Sequence, residues 1–159
     1  QLAYLVYDKQ GNCITGSSHI IRPNGFSIPK SASQVHGITT ERALREGEPL
    51  QDVLNEFQAY ISQSEYIVAH NLSFDEAIMG AEFLRMQMNN LLPAKRKICT
   101  MNSTTSFCAI PGKYGYKWPT LSELHIRLFN IDFGEAHNAA ADIEATARCF
   151  WELKRLGVL

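Results

Sequence analysis

The run LAYLVY, residues 2–7, puts apolar or aromatic side chains on both faces of an extended segment. A strand with one solvated face alternates polar and apolar residues, so a run without a polar face implies cover on both sides. Such a chain needs layers above and below its sheet, which narrows the choice to α/β architectures. The run starts directly after Gln1 with no initiator Met, and this predicts a chain that begins part-way into a domain.

The remaining sequence supplies the layers. KQGN reads as a turn and CITGSSHIIRP as a returning strand, together an antiparallel hairpin. SQVHGITTERALREG reads as a loop with a short helix. Pro49 then opens a helix with Leu50, Val53, Leu54, Phe57, Tyr60 and Ile61 on one stripe. EYIVAH is a short buried strand. SFDEAIMGAEFLRMQM is a helix entered through Ser73 with Glu76 completing a capping box, and KRKICT is a further strand. MNSTTSFCAIPGKYGYKWP reads as a weak helix plus a loop, and TLSELHIRLF as a helix boxed by Thr120 and Glu123. The last helix runs from about Ala139 to Leu156, with Asn138 as N-cap and Gly157 as the stop. This order predicts a mixed sheet flanked by helices, with EYIVAH and KRKICT as parallel neighbours joined by a right-handed crossover. Ligands of such sheets gather at the carboxyl ends of the strands, which places His70, Asn71 and Asp75 at the functional edge.

Length and charge set the remaining bounds. One domain covering residues 1–159 is expected from the length. A net charge of −1 gives no broad footprint for non-specific nucleic-acid binding, leaving room only for local contacts. Lys95, Arg96, Lys97, Lys113 and Lys117 are candidates for phosphate contact or for a solvated face, and the aromatics of KYGYKW for base stacking or for ordering their loop. Cys13, Cys99, Cys108 and Cys149 form no C-x-x-C pair, so reduced thiols and a cytoplasmic setting are expected rather than zinc or disulfides. No apolar run approaches the roughly 20 residues of a membrane span.

Two stretches concentrate the chemistry. AHNLSFDEA places Asp75 in the first turn of a helix, where a carboxylate has a sufficient structural reason in the helix dipole. GEAHNAAADIEATARCF places His137 just before a helix and Asp142 at the edge of its apolar stripe. A carboxylate at such a boundary needs hydrogen bonds, a cation or a raised pKa. Taken alone, the His137–Asp142 pair is as readily a local hydrogen-bond network as a reactive one. Together the stretches repeat one arrangement, an HN pair followed by an Asp near a helix start, in a chain with only five aspartates. Carboxylates from two elements can share a hard divalent cation.

AHNLSFDEAIMGAEF and AHNAAADIEATARCF resemble the second and third motifs of the DEDDh (DnaQ-like) 3'-5' exonucleases, the family of the proofreading epsilon subunit of bacterial DNA polymerase III. QVHGIT and KWPTLSELHIRLF resemble the segments before and between those motifs, so the likeness is colinear over essentially the whole chain. It implies a ribonuclease H-like fold and two Mg²⁺ or Mn²⁺ ions held by four carboxylates, Asp75 and Asp142 among them. It further implies His137 as the general base, with His36, Asn71 and Phe74 contacting or supporting substrate. The implied substrate is a single-stranded or frayed 3'-end of DNA, with RNA as the alternative. A polymerase subunit is an implied partner, and no membrane is involved. The family's first motif, Asp-x-Glu on a central strand, occurs nowhere in this sequence, and Asp8-Lys9-Gln10 does not replace it. The fold expected of this chain is therefore the family's sheet without its first central strand. The chain by itself should bind metal weakly and catalyse poorly. Two other readings follow: a degenerate module that binds nucleic-acid ends or a polymerase, and a cysteine hydrolase based on His70, His125 or His137.

Overall fold

The protein, described by a computed structural model for residues 1–134 and 138–159, builds its sheet from two separate ladders. In the first, β1 (Leu2–Tyr7) runs antiparallel to β2 (Cys13–His19), in register from Leu2 opposite His19 to Val6 opposite Thr15, with an irregularity at Val6/Tyr7. Asp8 organises their turn: its carboxylate accepts the N–H groups of Gln10 at 2.9 Å and Asn12 at 2.8 Å, and the Asn12 amide at 2.7 Å. These bonds, led by those from Asn12, hold its carboxyl below the usual range.

Two short helices, α1 (Lys30–His36) and α2 (Thr40–Glu46), replace the single short helix expected between Ser33 and Gly47. His36 ends the first, and Gly37 follows in the left-handed region at φ 70°. Next, α3 (Leu50–Gln63) buries Val53, Leu54 and Ile61, as its stripe predicted, although Pro49 sits one residue outside as N-cap.

The second ladder is the expected parallel pair. β3 (Tyr66–Ala69) lies beside β4 (Arg96–Cys99), with Tyr66 opposite Arg96 and Ala69 opposite Cys99, and α4 (Leu72–Arg85) forms the crossover. The capping box foreseen at Ser73 and Glu76 does not form. The helix starts one residue earlier behind Asn71, which takes a left-handed conformation and gives no side-chain cap, while Glu76 pairs with Lys97 at 2.5 Å.

After β4 come α5 (Thr100–Ser103) and α6 (Thr105–Cys108). The segment expected as a loop then closes into a hairpin of β5 (Pro111–Gly112) and β6 (Gly115–Tyr116). α7 (Leu121–Phe129) carries the expected capping box: Thr120 Oγ1 accepts the Glu123 N–H at 3.2 Å, and Glu123 accepts the Thr120 N–H at 2.8 Å. Removing that hydroxyl with Thr120→Ala should cost about 1 kcal/mol. In a domain of this size that corresponds to a fall of roughly 2–4 °C in melting temperature by circular dichroism. The last helix, α8 (Ala139–Arg155), is capped by Asn138, whose side chain accepts from the Ala140 N–H at 3.1 Å.

Helices cover both faces of β1, as LAYLVY implied. Tyr4 packs on Phe57 and Tyr60 of α3, with ring centroids 5.3 and 5.5 Å apart, and its hydroxyl donates to Glu56. On the opposite face Tyr7 meets Trp151 of α8 at 5.5 Å. The cover is partial: Tyr4 is buried and the other residues of β1 are half-buried. Among the described residues β1 bonds only to β2 and β3 only to β4, while α8 packs against both β1 and β3. The core divides in the same way. Leu54 and Ile61 meet Phe83 and Leu92 on one side, and Leu124, Cys149 and Leu153 join α7 to α8 on the other. None of the described helices is long and apolar enough to cross a membrane.

Candidate functional site

The chain leaves β3 at its carboxyl end through His70 and Asn71 and turns directly into α4. Asn71 makes this sharp entry at φ 67°, a conformation that Asn tolerates better than most side chains. His70 is held from both sides. Its Nε2 lies 2.9 Å from the Pro119 carbonyl, which can only accept, so Nε2 donates and Nδ1 accepts from the Thr100 hydroxyl at 3.0 Å. Burial lowers its pKa, against a smaller opposing effect of the bond to Pro119. A neutral imidazole with both nitrogens engaged is a pin between three segments and has no spare position for proton transfer. Its partners lie 30 and 49 residues away in sequence, which is why no local pattern announced them.

Asp75 lies in the first turn of α4, as expected. A carboxylate serving only the helix dipole would ionise more readily than usual. Here the opposite holds: desolvation pushes its pKa from 3.8 up to about 6, against a weaker effect of its own backbone N–H. Asp75 is nonetheless open to solvent at its surface. No Lys, Arg or His pairs with it among the described residues.

The raised pKa has a consequence for stability. The folded state binds more protons than the unfolded chain between pH 4 and 6, so stability is lost as pH rises through that window. Because Asp75 is exposed, solvent screening limits the effect to under about 1 kcal/mol. Asp75→Asn should therefore raise the melting temperature at pH 8 by about 2–4 °C at most and leave it unchanged at pH 4.

Phe74, immediately before, is 63% exposed and so does not belong to the core. Asp142 lies half-buried in the first turn of α8, its backbone N–H bonded to Asn138 at 2.8 Å. The two helices that carry these carboxylates, α4 and α8, both pack against β3. His137 lies outside the described residues. His36 stands at the end of α1, where its Nδ1 accepts the Ile38 N–H at 3.1 Å, a bond that leaves the proton on Nε2.

Oxygen donors of this kind suit a hard divalent cation. No group of three or more His, Cys, Asp or Glu side chains gathers among the described residues, so Asp75 and Asp142 would supply only part of a ligand set. The basic residues proposed for phosphate contact are mostly engaged. Lys95 donates to the carbonyls of Ser62 and Ser64, Arg96 to Glu65 and Tyr66, Lys97 to Glu76 and Lys117 to Glu123. Lys113 rests instead over the ring of Tyr114, 5.1 Å from its centroid.

The thiols do not support a cysteine nucleophile. All four are free, and burial pushes Cys149 up to about 12 and raises Cys108. His125, another candidate base, is fully buried, with Nδ1 engaged by the Ile131 carbonyl at 2.7 Å.

The chain is 31% identical over 139 residues to the PolC-type DNA polymerase III of Streptococcus sanguinis, covering 87% of this chain and 9% of that protein. Against the corresponding polymerase of Halalkalibacterium halodurans the identity is 29% over 125 residues, or 76% and 8% of the two chains. The chain thus spans under a tenth of the length of these relatives. In fold it is similar to Escherichia coli Exonuclease I. It superposes on the complex with a dA16 oligonucleotide at a TM-score of 0.75 and 17% identity, and on the zinc-bound complex with single-stranded DNA at 0.77 and 20%. Each superposition covers 96% of this chain and 36% of the other. The ribonuclease H-like α/β class implied by the motifs is thereby the fold of this chain. The family model for the RNase T exonucleases matches residues 1–150, and the chain belongs to that exonuclease family.

Proposed function

We propose that residues 1–159 act as one domain that removes nucleotides from the 3'-end of single-stranded or frayed DNA in a reaction dependent on Mg²⁺ or Mn²⁺. The observation that carries this reading is Asp75, a desolvated carboxylate that no Lys, Arg or His pairs with among the described residues, on a helix that shares β3 with the helix bearing Asp142. A divalent cation between them would relieve the cost of ionising Asp75 at neutral pH. When bound, such ions make a water nucleophilic near neutrality and stabilise the leaving 3'-oxygen.

The chain's own residues take the remaining parts. Asp75 and Asp142 offer carboxylate oxygens to the cation. His137 accepts the proton of the attacking water at an imidazole nitrogen. Asn71 and Phe74, exposed at the start of α4, line the path of the terminal nucleotide, and His36 presents an Nε2–H donor to it. The likeness to polymerase III chains and to an exonuclease solved with single-stranded DNA supports DNA as substrate and a proofreading or repair setting beside a polymerase.

The test is Mg²⁺-dependent release of mononucleotides from 3'-labelled DNA, using the chain together with whatever its gene encodes before Gln1, in competition with RNA of the same sequence. Preference for RNA would turn the reading to an RNA-trimming enzyme. Tight binding of ends without cleavage, with or without Mg²⁺, would sink the enzymatic reading in favour of a binding module.

A further inference from the structure

The β5–β6 hairpin carries side chains that its fold leaves unused. Tyr114 is 91% exposed, Tyr116 59% and Trp118 66%, three large aromatics within five residues. Solvated aromatics on a floppy loop would need no explanation, but this hairpin is fixed at its base. The Lys117 N–H bonds to Ile110 at 2.9 Å, its ammonium reaches Glu123 on α7 at 2.6 Å, and the Pro119 carbonyl accepts from His70 at 2.9 Å. The turn itself demands glycine. Gly115 has φ +120°, and a Cβ on Gly112 would stand 3.0 Å from the Gly115 carbonyl and 3.1 Å from Lys117. Tyr116 ends β6 and Trp118 lies two residues beyond it, both exposed on the segment that Lys117 and Pro119 hold in place.

We propose that Tyr116 and Trp118, with Tyr114 and Lys113 at the hairpin tip, form a stacking platform for the bases of a single strand leading to its 3'-end. This rests on the exonuclease reading. The bond from His70 to Pro119 ties the platform to the segment that opens α4, which carries Phe74 and Asp75. With a net charge of −1 and most of its cations engaged by its own groups, the protein has little general attraction for phosphates. Base stacking is the sequence-tolerant alternative, since every base has a π-face, and Lys113 adds a cation where the backbone would pass.

The experiment is fluorescence anisotropy of a 5'-labelled 16-nucleotide oligothymidylate in EDTA, comparing the parent chain with Tyr116→Ala/Trp118→Ala. Each ring removed should weaken binding about tenfold, so the pair should lose roughly a hundredfold at an unchanged melting temperature. Trp118→Leu keeps an apolar side chain without the ring and should lose about tenfold, and it serves if the alanine pair folds poorly. Trp118→Phe should restore most of the affinity. Binding by the variants within twofold of the parent, or no saturable binding by the parent, overturns the proposal. Mg²⁺-dependent nucleotide release by the parent tests the exonuclease reading separately, and its failure leaves the anisotropy comparison intact.

Discussion

Asp142→Asn is expected to lower Mg²⁺-dependent release of mononucleotides by about a thousandfold, with the melting temperature within a few degrees of the parent. Asn keeps the shape of the side chain and suits the first turn of a helix, so α8 should persist on its Asn138 cap. What disappears is the negative charge that, in the proposed site, Asp142 would add to that of Asp75 in holding a divalent ion. Asp75→Asn should fall to a similar level of activity while gaining slightly in stability above pH 6, an opposition that a merely structural carboxylate would not show. The measurement is single-turnover cleavage of 3'-labelled DNA across a Mg²⁺ titration. Full activity in Asp142→Asn would remove Asp142 from the site.

The second large effect concerns the core. Phe83 is completely buried on α4 against Leu54 and Ile61 of α3 and Leu92 beyond the helix. Phe83→Ala should cost about 3–5 kcal/mol, because it deletes a full ring from a site closed by helices that cannot collapse inward. Domains of this size are stable by only about 5–15 kcal/mol, so the loss takes about a fifth or more of the total. The expected fall in melting temperature is about 6–20 °C. Since α4 also carries Asp75, nucleotide release should fall before global unfolding as temperature rises. Chemical denaturation followed by circular dichroism measures the first effect. Coincidence of the activity and unfolding curves would sink the second.

Local chemistry made much of the fold legible. The Thr120–Glu123 box, the stripe of α3 and the Asn138 cap were readable because each depends on residues within a few positions of one another. The parallel pairing of β3 and β4 followed from the length of the crossover between them. Ser73 and Glu76 had the same spacing as Thr120 and Glu123, yet Asn71 could adopt a left-handed conformation that started the helix earlier, and a lysine from β4 took the glutamate. The KYGYKW hairpin escaped because a pair of two-residue strands has no periodicity to detect. At the candidate site the sequence indicated both aspartates. It showed neither that surrounding protein perturbs Asp75 nor that His70 is locked by two distant partners, since both depend on tertiary neighbours.

The contact of Tyr7 with Trp151 joins the first strand of this chain to its last helix. During synthesis β1 leaves the ribosome long before the helix that covers its second face exists, so one side of LAYLVY stays wet until α8 emerges. Contacts of such sequence separation slow folding, and they leave an apolar strand open to chaperones and to neighbouring chains in the interval. The same delay has a protective side. Asp142 arrives on that helix, so a nascent chain acquires its proposed cutting centre only once α8 has been made.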